Sequence, residues 1–224
     1  METVLKNKKI LFIGNSYTDG FIKSFEEMIE NSVYKNSKFE YIWGGGVTLH
    51  QLIKNGRALE GLQRENWDAV VLQEQSQLPA IPGKCEQSFH ESVDILVNEI
   101  KAKGAKAFLY MTWGRRDKDE ENPELFPNYK SMQSRLTEAY ETAAERNDIN
   151  VIAVGKAWSK LRNLDSELGR ELYQQDGSHP SDKGAFLISC MMIKKFFNEK
   201  LNNLYLPMGV NELEAETIVK AINS

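Results

Sequence analysis

The stretch that decides the fold reads Ile10-Leu11-Phe12-Ile13-Gly14-Asn15-Ser16. Its apolar residues form an unbroken run, which is typical of a strand buried on both faces of a sheet. Small and polar residues follow at once, so we expect Ser16 at the end of this strand, where the chain turns toward a helix. A serine there is a candidate nucleophile, although a serine after a strand is also a common helix N-cap.

Outward from this stretch, apolar runs alternate with helical patterns along the chain. We predict strands over 9–13, 39–43, 69–72, 107–111 and 150–154. Helical spacing predicts helices over 21–33, 47–59, 129–146, 157–172, 182–201 and 211–222, and a stripe from Phe89 to Ile100 that Gly104 ends. Strands that alternate with helices form a parallel sheet covered on both sides. We therefore expect an α/β fold with a central five-stranded parallel sheet, and a single domain over residues 1–224.

Composition argues against several classes of function. The chain of 224 residues has a net charge of -4 and no long block of like charges, so we expect no nucleic-acid partner. Cys85 and Cys190 lie far apart without CxxC spacing, which disfavours a zinc site, and we expect no metal and no cofactor. No segment has the pattern of a signal peptide or a membrane span. We expect a cytoplasmic protein with no membrane partner, although a secreted protein without its leader would look similar.

A second short stretch complements Ser16. Asp176-Gly177-Ser178-His179-Pro180 places a carboxylate three residues before an imidazole, a spacing that lets Asp176 reach Nδ1 of His179 across a turn. A serine needs a base to take its proton, and that base needs a third group to orient it. Ser16, His179 and Asp176 are therefore the candidate catalytic residues, although the second stretch could also be a plain surface turn. His50 and His90 are weaker candidates.

Other polar clusters also follow predicted strands, where sites in parallel sheets lie. Acyl transfer needs donors aimed at the carbonyl oxygen as it gains negative charge. The amides of Ser16 and Gly46 are two candidates, and the side chains of Gln73 and Gln75 supply others. The candidate substrate-binding residues are Asn15, Trp113 and Arg115.

These motifs resemble the SGNH hydrolases, also called GDSL esterases and lipases. Gly14-Asn15-Ser16 resembles the first block of the family, Gly46 the second, and Asp176 to Pro180 the last. The third block departs from the usual Gly-x-Asn-Asp and reads Gln73-Glu74-Gln75-Ser76-Gln77. The resemblance implies that a glutamine donates to the oxyanion in place of the asparagine. Gln75 is the first choice and Gln73 the second, and counting from Asp68 would favour Gln77.

The resemblance implies a flavodoxin-like three-layer α/β/α sandwich. It also implies a serine esterase whose substrate is a small-molecule ester, namely an acetyl ester on a carbohydrate. A thioesterase or lysophospholipase with the same triad is one alternative, and a binding module without turnover is another. A carboxylate near an oxyanion hole opposes charge development. We therefore expect Glu74 to turn away from the site or to pair with Arg115 or Arg116.

Overall fold

Five strands form one parallel sheet in the computed structural model, which describes residues 7–224. They lie in the order β2-β1-β3-β4-β5. The strands are β1 (Lys9–Ile13), β2 (Lys38–Ile42), β3 (Ala69–Leu72), β4 (Lys106–Tyr110) and β5 (Asn150–Ile152). Because β2 lies on one side of β1 and β3 on the other, the strand order reverses between β1 and β3. A crevice at the carboxyl ends of these two strands is where such folds bind their ligands.

Two helical layers cover the sheet, and the β1 sequence shows how each face is buried. Ile10 and Phe12 pack on one side, and Leu11 and Ile13 pack on the other, all four without solvent exposure. This confirms the predicted α/β/α architecture. The helices are α1 (Ser16–Glu30), α2 (Leu49–Lys54), α3 (Arg57–Gln63), α4 (Lys84–Ala102), α5 (Tyr129–Asn147), α6 (Val154–Leu164), α7 (Ser166–Glu171), α8 (Asp182–Phe197) and α9 (Glu212–Asn223).

Helix α1 begins at Ser16, five residues before the predicted start at residue 21. Asn15 is its N-cap, since the Asn15 side chain accepts a hydrogen bond from the Tyr17 amide at 3.0 Å. Such a cap satisfies one of the free amides of the first turn. The consequence for the site is that Ser16 is the first helical residue, and its amide lies at the helix N-terminus.

Two predicted helices are each divided in the structure. The segment 47–59 forms α2 and α3, because Gly56 takes a left-handed conformation with φ of 79° that ends one helix and starts the next. The segment 157–172 forms α6 and α7, because Asp165 caps the second helix by accepting hydrogen bonds from its first-turn amides. Apolar periodicity continues across both breaks, so the pattern alone predicts one helix in each case.

Smaller differences concern the ends of elements. Strand β5 ends at Ile152, two residues before the predicted end, because Val154 already starts α6. Helix α8 ends at Phe197 because Asn198 takes a left-handed conformation with φ of 50°. None of the helices within residues 7–224 has the length and apolar composition required to cross a membrane.

Candidate active site

Ser16, His179 and Asp176 meet at the carboxyl edge of the sheet. The Ser16 hydroxyl lies 2.9 Å from Nε2 of His179, and Nδ1 of the same ring lies 2.6 Å from Oδ2 of Asp176. With Nδ1 donating to the carboxylate, Nε2 is free to accept the hydroxyl proton of Ser16. The hydroxyl, imidazole and carboxylate therefore form one continuous hydrogen-bonded line, the arrangement that a serine nucleophile requires.

The turn from Asp176 to His179 is closed by hydrogen bonds to a single carboxylate oxygen. Oδ1 of Asp176 accepts from the amides of Ser178 at 2.8 Å and His179 at 3.0 Å, which leaves Oδ2 for the imidazole. Partial burial acts to raise the pKa of Asp176, but the donors on His179 and Ser178 outweigh it and hold that pKa below its usual value. Asp176 is therefore ionised and fixed in position under ordinary conditions.

Arg116 holds this turn from the outside. Its amide donates to the Gly177 carbonyl at 2.8 Å, and its guanidinium donates to the carbonyls of Gln174 at 3.2 Å and Gln175 at 3.3 Å. All three acceptors are backbone atoms beside Asp176, so Arg116 fixes the path of the chain that carries the carboxylate.

Trp113 belongs to the core and does not line the substrate site, which corrects its assignment as a substrate contact. Its indole is fully buried between the rings of Tyr17, at 4.7 Å, and Trp158, at 4.0 Å, in a nearly parallel stack. Its Nε1 donates to the Ser178 carbonyl at 3.0 Å. The Tyr17 ring in turn contacts the His179 ring edge to face, at 5.4 Å. Trp113 therefore supports His179 through its neighbours.

Arg115 also supports His179 through neighbouring side chains. Its guanidinium donates to the Tyr17 hydroxyl at 2.7 Å and to the Ser178 hydroxyl, and those two hydroxyls lie 2.8 Å apart. Tyr17 follows Ser16 in the sequence and Ser178 precedes His179, so this cluster joins the two segments that carry Ser16 and His179. Our reading of the sequence did not single out Tyr17 or Ser178, and adjacency to the proposed triad is the signal that could have found them.

The amides of Ser16 and Gly46 both lie at this edge of the sheet. Gly46 has a φ of 65° and is exposed, and a Cβ built on it would meet no atom within 4 Å. Asn15 joins the two segments, since its side-chain Nδ2 donates to the Val47 carbonyl at 3.2 Å. Asn15 is only 2% exposed, which corrects its assignment as a substrate-binding residue. Both ends of its amide already serve the two turns that carry Ser16 and Gly46.

The three glutamines after β3 have different partners. Gln73 is buried, and its Oε1 accepts from the Asn15 amide at 3.0 Å and the Thr18 hydroxyl at 2.9 Å. Its Nε2 donates to the Glu74 carbonyl. Gln77 donates from Nε2 to both carboxylate oxygens of Asp119, at 2.9 and 2.8 Å. In neither residue is the amide nitrogen turned to the site, which argues against Gln73 and Gln77 as oxyanion donors.

Gln75 differs because it is only half-buried. Its Oε1 accepts from the amides of Gln77 at 2.8 Å and Leu78 at 3.2 Å, while its Nε2 makes one long contact of 3.3 Å with the Gln77 side chain. An amide nitrogen carries two hydrogens, so Gln75 keeps a donor for another acceptor.

Glu74 pairs with no arginine, which corrects that part of our expectation. Its carboxyl group is 1% exposed and accepts from the amides of Leu49, at 3.1 Å, and Gln75, at 2.6 Å. Burial raises the pKa of Glu74 to about 7, against these two donors, which lower it. Arg115 and Arg116 bind the segments around Ser16 and Asp176, as described above. The carboxyl group therefore turns toward the start of α2.

The remaining histidines are in other surroundings. His50 is exposed on α2, and His90 is buried on α4 with a Glu86 carboxylate oxygen 4.0 Å from its Nε2. Within residues 7–224, the structure has no group of three or more His, Cys, Asp or Glu side chains placed to hold a metal ion.

Solved structures of several hydrolases resemble this chain. A candidate SGNH hydrolase from Slackia heliotrinireducens is 27% identical, and the match covers 84% of this chain and 98% of that chain with a TM-score of 0.69. A DUF4886 family protein from Bacteroides uniformis is 20% identical over 96% of this chain and 93% of that chain, with a TM-score of 0.76. No protein-family model matches the chain, and no curated protein matches it.

A catalytic mutant of an acetylxylan esterase from Geobacillus stearothermophilus is similar as well. It is 16% identical over 86% of this chain and 96% of that chain, with a TM-score of 0.63. At 20% and 16% identity, this likeness and the one to the Bacteroides protein show a shared fold.

Proposed function

Since this chain belongs to the SGNH, or GDSL-like, hydrolase superfamily and is a serine hydrolase of carboxylic esters, we propose that Ser16, His179 and Asp176 are its catalytic triad and that its substrate is an acetyl ester. The observation that carries the triad is the hydrogen-bonded line of the three side chains, with distances of 2.9 and 2.6 Å. Those distances match what proton transfer between a nucleophile and its base requires.

In the proposed reaction, Oγ of Ser16 attacks the ester carbonyl and its proton passes to Nε2 of His179. The tetrahedral intermediate then collapses, the C–O bond of the ester breaks, and the leaving alcohol takes the proton from His179. A water molecule attacks the acyl-enzyme and gives a proton to His179, which returns it to Ser16 as acetate leaves. Asp176 keeps Nδ1 of His179 protonated and stabilises the imidazolium in both halves.

We propose that the amides of Ser16 and Gly46 and the side chain of Gln75 bind the oxyanion. The position of Ser16 at the first turn of α1 supports its amide as a donor, since free amides of a helix N-terminus favour negative charge. The empty space around Gly46 supports close approach of a carbonyl oxygen to the main chain. Gln75 is favoured over Gln73 and Gln77 because its side chain is only half-buried, whereas Gln73 is 1% and Gln77 5% exposed.

A short acyl group fits the surroundings of Ser16. Five of the surface cavities formed by residues 7–224 are lined by residues other than Ser16, Gly46 and His179. A long acyl chain needs an apolar cavity that begins at the nucleophile. An open site also admits an acetyl group carried on a large molecule, and the likeness to an acetylxylan esterase favours a carbohydrate as that molecule.

Hydrolysis of 4-nitrophenyl acetate and its longer-chain homologues tests both parts of the proposal. We expect Ser16→Ala to lower kcat by about 1000-fold or more, because no other side chain replaces the nucleophile. Ser134→Ala, which changes an exposed serine on α5, is the matched control and should keep the wild-type rate. Equal rates for Ser16→Ala and wild type would refute the triad.

The same assay tests the acyl group. We expect kcat/KM to fall by about tenfold or more from the acetate to the octanoate, because none of those five cavities opens beside Ser16 to take the longer chain. A preference for octanoate would refute the acetyl assignment and leave the triad standing. Acetylated xylooligosaccharides, followed by acetate release, then test the carbohydrate part of the proposal.

A further inference from the structure

We infer that Glu74 is a positioning residue of the oxyanion hole. Its carboxyl group fixes residues 44–48, here called the oxyanion loop, so that the amide of Gly46 faces the carbonyl oxygen of a substrate at Ser16. The inference rests on the proposed function, because it takes Gly46 as an oxyanion donor. Glu74 itself acts through the loop and does not touch the substrate.

Two side chains from other strand ends hold the oxyanion loop, one on each side of Thr48, and the Thr48 amide also donates to Oε1 of Gln51 at 2.9 Å. The Leu49 amide, which follows the loop directly, donates to Oε1 of Glu74 at 3.1 Å and lies 3.3 Å from Oε2. The Val47 carbonyl accepts from Nδ2 of Asn15 at 3.2 Å. Asn15 precedes the nucleophile and Glu74 precedes Gln75, so both holding groups come from the strand ends that carry the other proposed catalytic groups.

The oxyanion loop begins Gly44-Gly45-Gly46, and side chains built on Gly45 or Gly46 would meet no atom within 4 Å. Val47, which follows the glycines, packs against the core. Glycine loses more conformational freedom on folding than any other residue, so this segment is costly to hold in one conformation. An oxyanion donor must nevertheless stay within about 0.5 Å of its working position. Contacts from outside the loop are therefore what keeps the Gly46 amide in place.

The burial of Glu74 is hard to explain by stability alone. A buried carboxyl group without a cation is destabilising unless hydrogen bonds satisfy it, and both arginines near the site bind other atoms. An apolar side chain of similar size would fill the same space without that cost. What only an acceptor can supply here is a bond to the Leu49 amide and, on the same Oε1, a bond to the Gln75 amide at 2.6 Å. Glu74 thereby couples the oxyanion loop to the residue that bears the proposed third donor.

Substitutions at Glu74 separate its hydrogen bonds from its charge. Glu74→Leu removes the acceptor, and we expect kcat on 4-nitrophenyl acetate to fall by about 10- to 100-fold with little change in KM, less than the loss of a whole donor. Glu74→Gln keeps an acceptor oxygen for both amides and should recover most of the wild-type rate. Ile218→Ala destabilises the core on the opposite side of the sheet and is the control for a general loss of stability.

The partner of Glu74 offers a second, independent test. Leu49 is the first residue of α2, a position where proline fits a helix and where its missing amide hydrogen breaks no helical bond. Leu49→Pro therefore removes the donor to Glu74, while Leu49→Ala keeps the donor and loses most of the side chain. We expect Leu49→Pro to have a kcat about tenfold below that of Leu49→Ala. This comparison holds even if Glu74→Leu does not fold.

Hydrogen exchange of residues 44–52 gives a readout that does not depend on activity. We expect faster exchange of this segment in Glu74→Leu and Leu49→Pro than in Glu74→Gln and Leu49→Ala. A kcat of Leu49→Pro equal to that of Leu49→Ala would overturn the inference. Equal losses in Glu74→Leu and Glu74→Gln would overturn it as well. Either result, obtained while Ser16→Ala is inactive, leaves the proposed triad intact, whereas an active Ser16→Ala would remove the proposed function itself.

Discussion

Gln73, Gln75 and Gln77 stand at alternate positions after β3, and their partners give each a separate task. Gln73 supports the nucleophile turn by accepting from the Asn15 amide, and Gln77 anchors the segment that contains Asp119. Of the three, only Gln75 is partly exposed. At the scale of single residues, the partly exposed side chain is the one suited to bind a substrate, because a buried amide cannot reach a ligand.

Gln75→Ala tests this assignment. We expect kcat on 4-nitrophenyl acetate to fall by about 100- to 1000-fold, the usual loss when one oxyanion donor is removed. Gln87→Ala, on the exposed surface of α4, is the control and should keep the wild-type rate. A thermal melt should show both variants folded. If Gln75→Ala hydrolyses the ester as fast as wild type, the oxyanion is bound without a glutamine.

At the scale of structural elements, the loop from Gln174 to His179 is held in position by contacts from another part of the chain. Arg116, which follows β4, donates to three backbone carbonyls of this loop. Hydrogen bonds from a charged donor are stronger than those between neutral groups, so a single arginine can fix a short loop. The position of Asp176 is thus set from outside its own turn.

We expect Arg116→Met, which keeps an unbranched apolar stem and removes the guanidinium, to lower kcat by about tenfold because Asp176 no longer orients His179 as well. Arg135→Met, at an exposed position on α5, is the matched control. Steady-state kinetics on the acetyl ester measures the effect. An unchanged kcat in Arg116→Met would mean that the bonds within the turn suffice to place Asp176.

The strands could be predicted to within one or two residues, because unbroken apolar runs mark strands that are buried on both faces. The division of 47–59 at Gly56 could not, since the apolar spacing continues through a residue whose φ alone ends the helix. Ser16 and His179 could be proposed from the sequence because their two local motifs are fairly specific in combination. The partner of Glu74 was not, because the Leu49 amide is a backbone group that only the folded chain brings to β3.

At the scale of the whole molecule, the site is assembled from distant parts of the sequence. Ser16 and His179 are 163 residues apart, yet they lie within hydrogen-bond distance because α8, which follows His179, packs against α1, which begins at Ser16. The rings of Tyr17, Trp113 and Trp158 connect the site to the core on one side of the sheet. Global stability and the geometry of the site are therefore linked.

Glu74 makes the free energy of unfolding depend on pH. Its pKa is about 7 in the folded protein and 4.5 as the ordinary value, so the unfolded chain ionises first as pH rises. The stabilising effect of the protonated form is complete below pH 4.5 and is lost as pH rises through 7. We expect the stability of wild type relative to Glu74→Gln to fall by about 3 kcal/mol from pH 4 to pH 8, as measured by urea unfolding. Parallel pH curves for the two proteins would contradict the raised pKa.

The buried carboxyl of Glu74 makes folding a proton-binding reaction in mildly acidic solution. Between its two pKa values the folded chain holds a proton that the unfolded chain has released. The proposed hydrolysis of an acetyl ester would release acetic acid and lower the pH of a weakly buffered medium. Through Glu74, the accumulating product therefore shifts the equilibrium toward the folded enzyme that makes it.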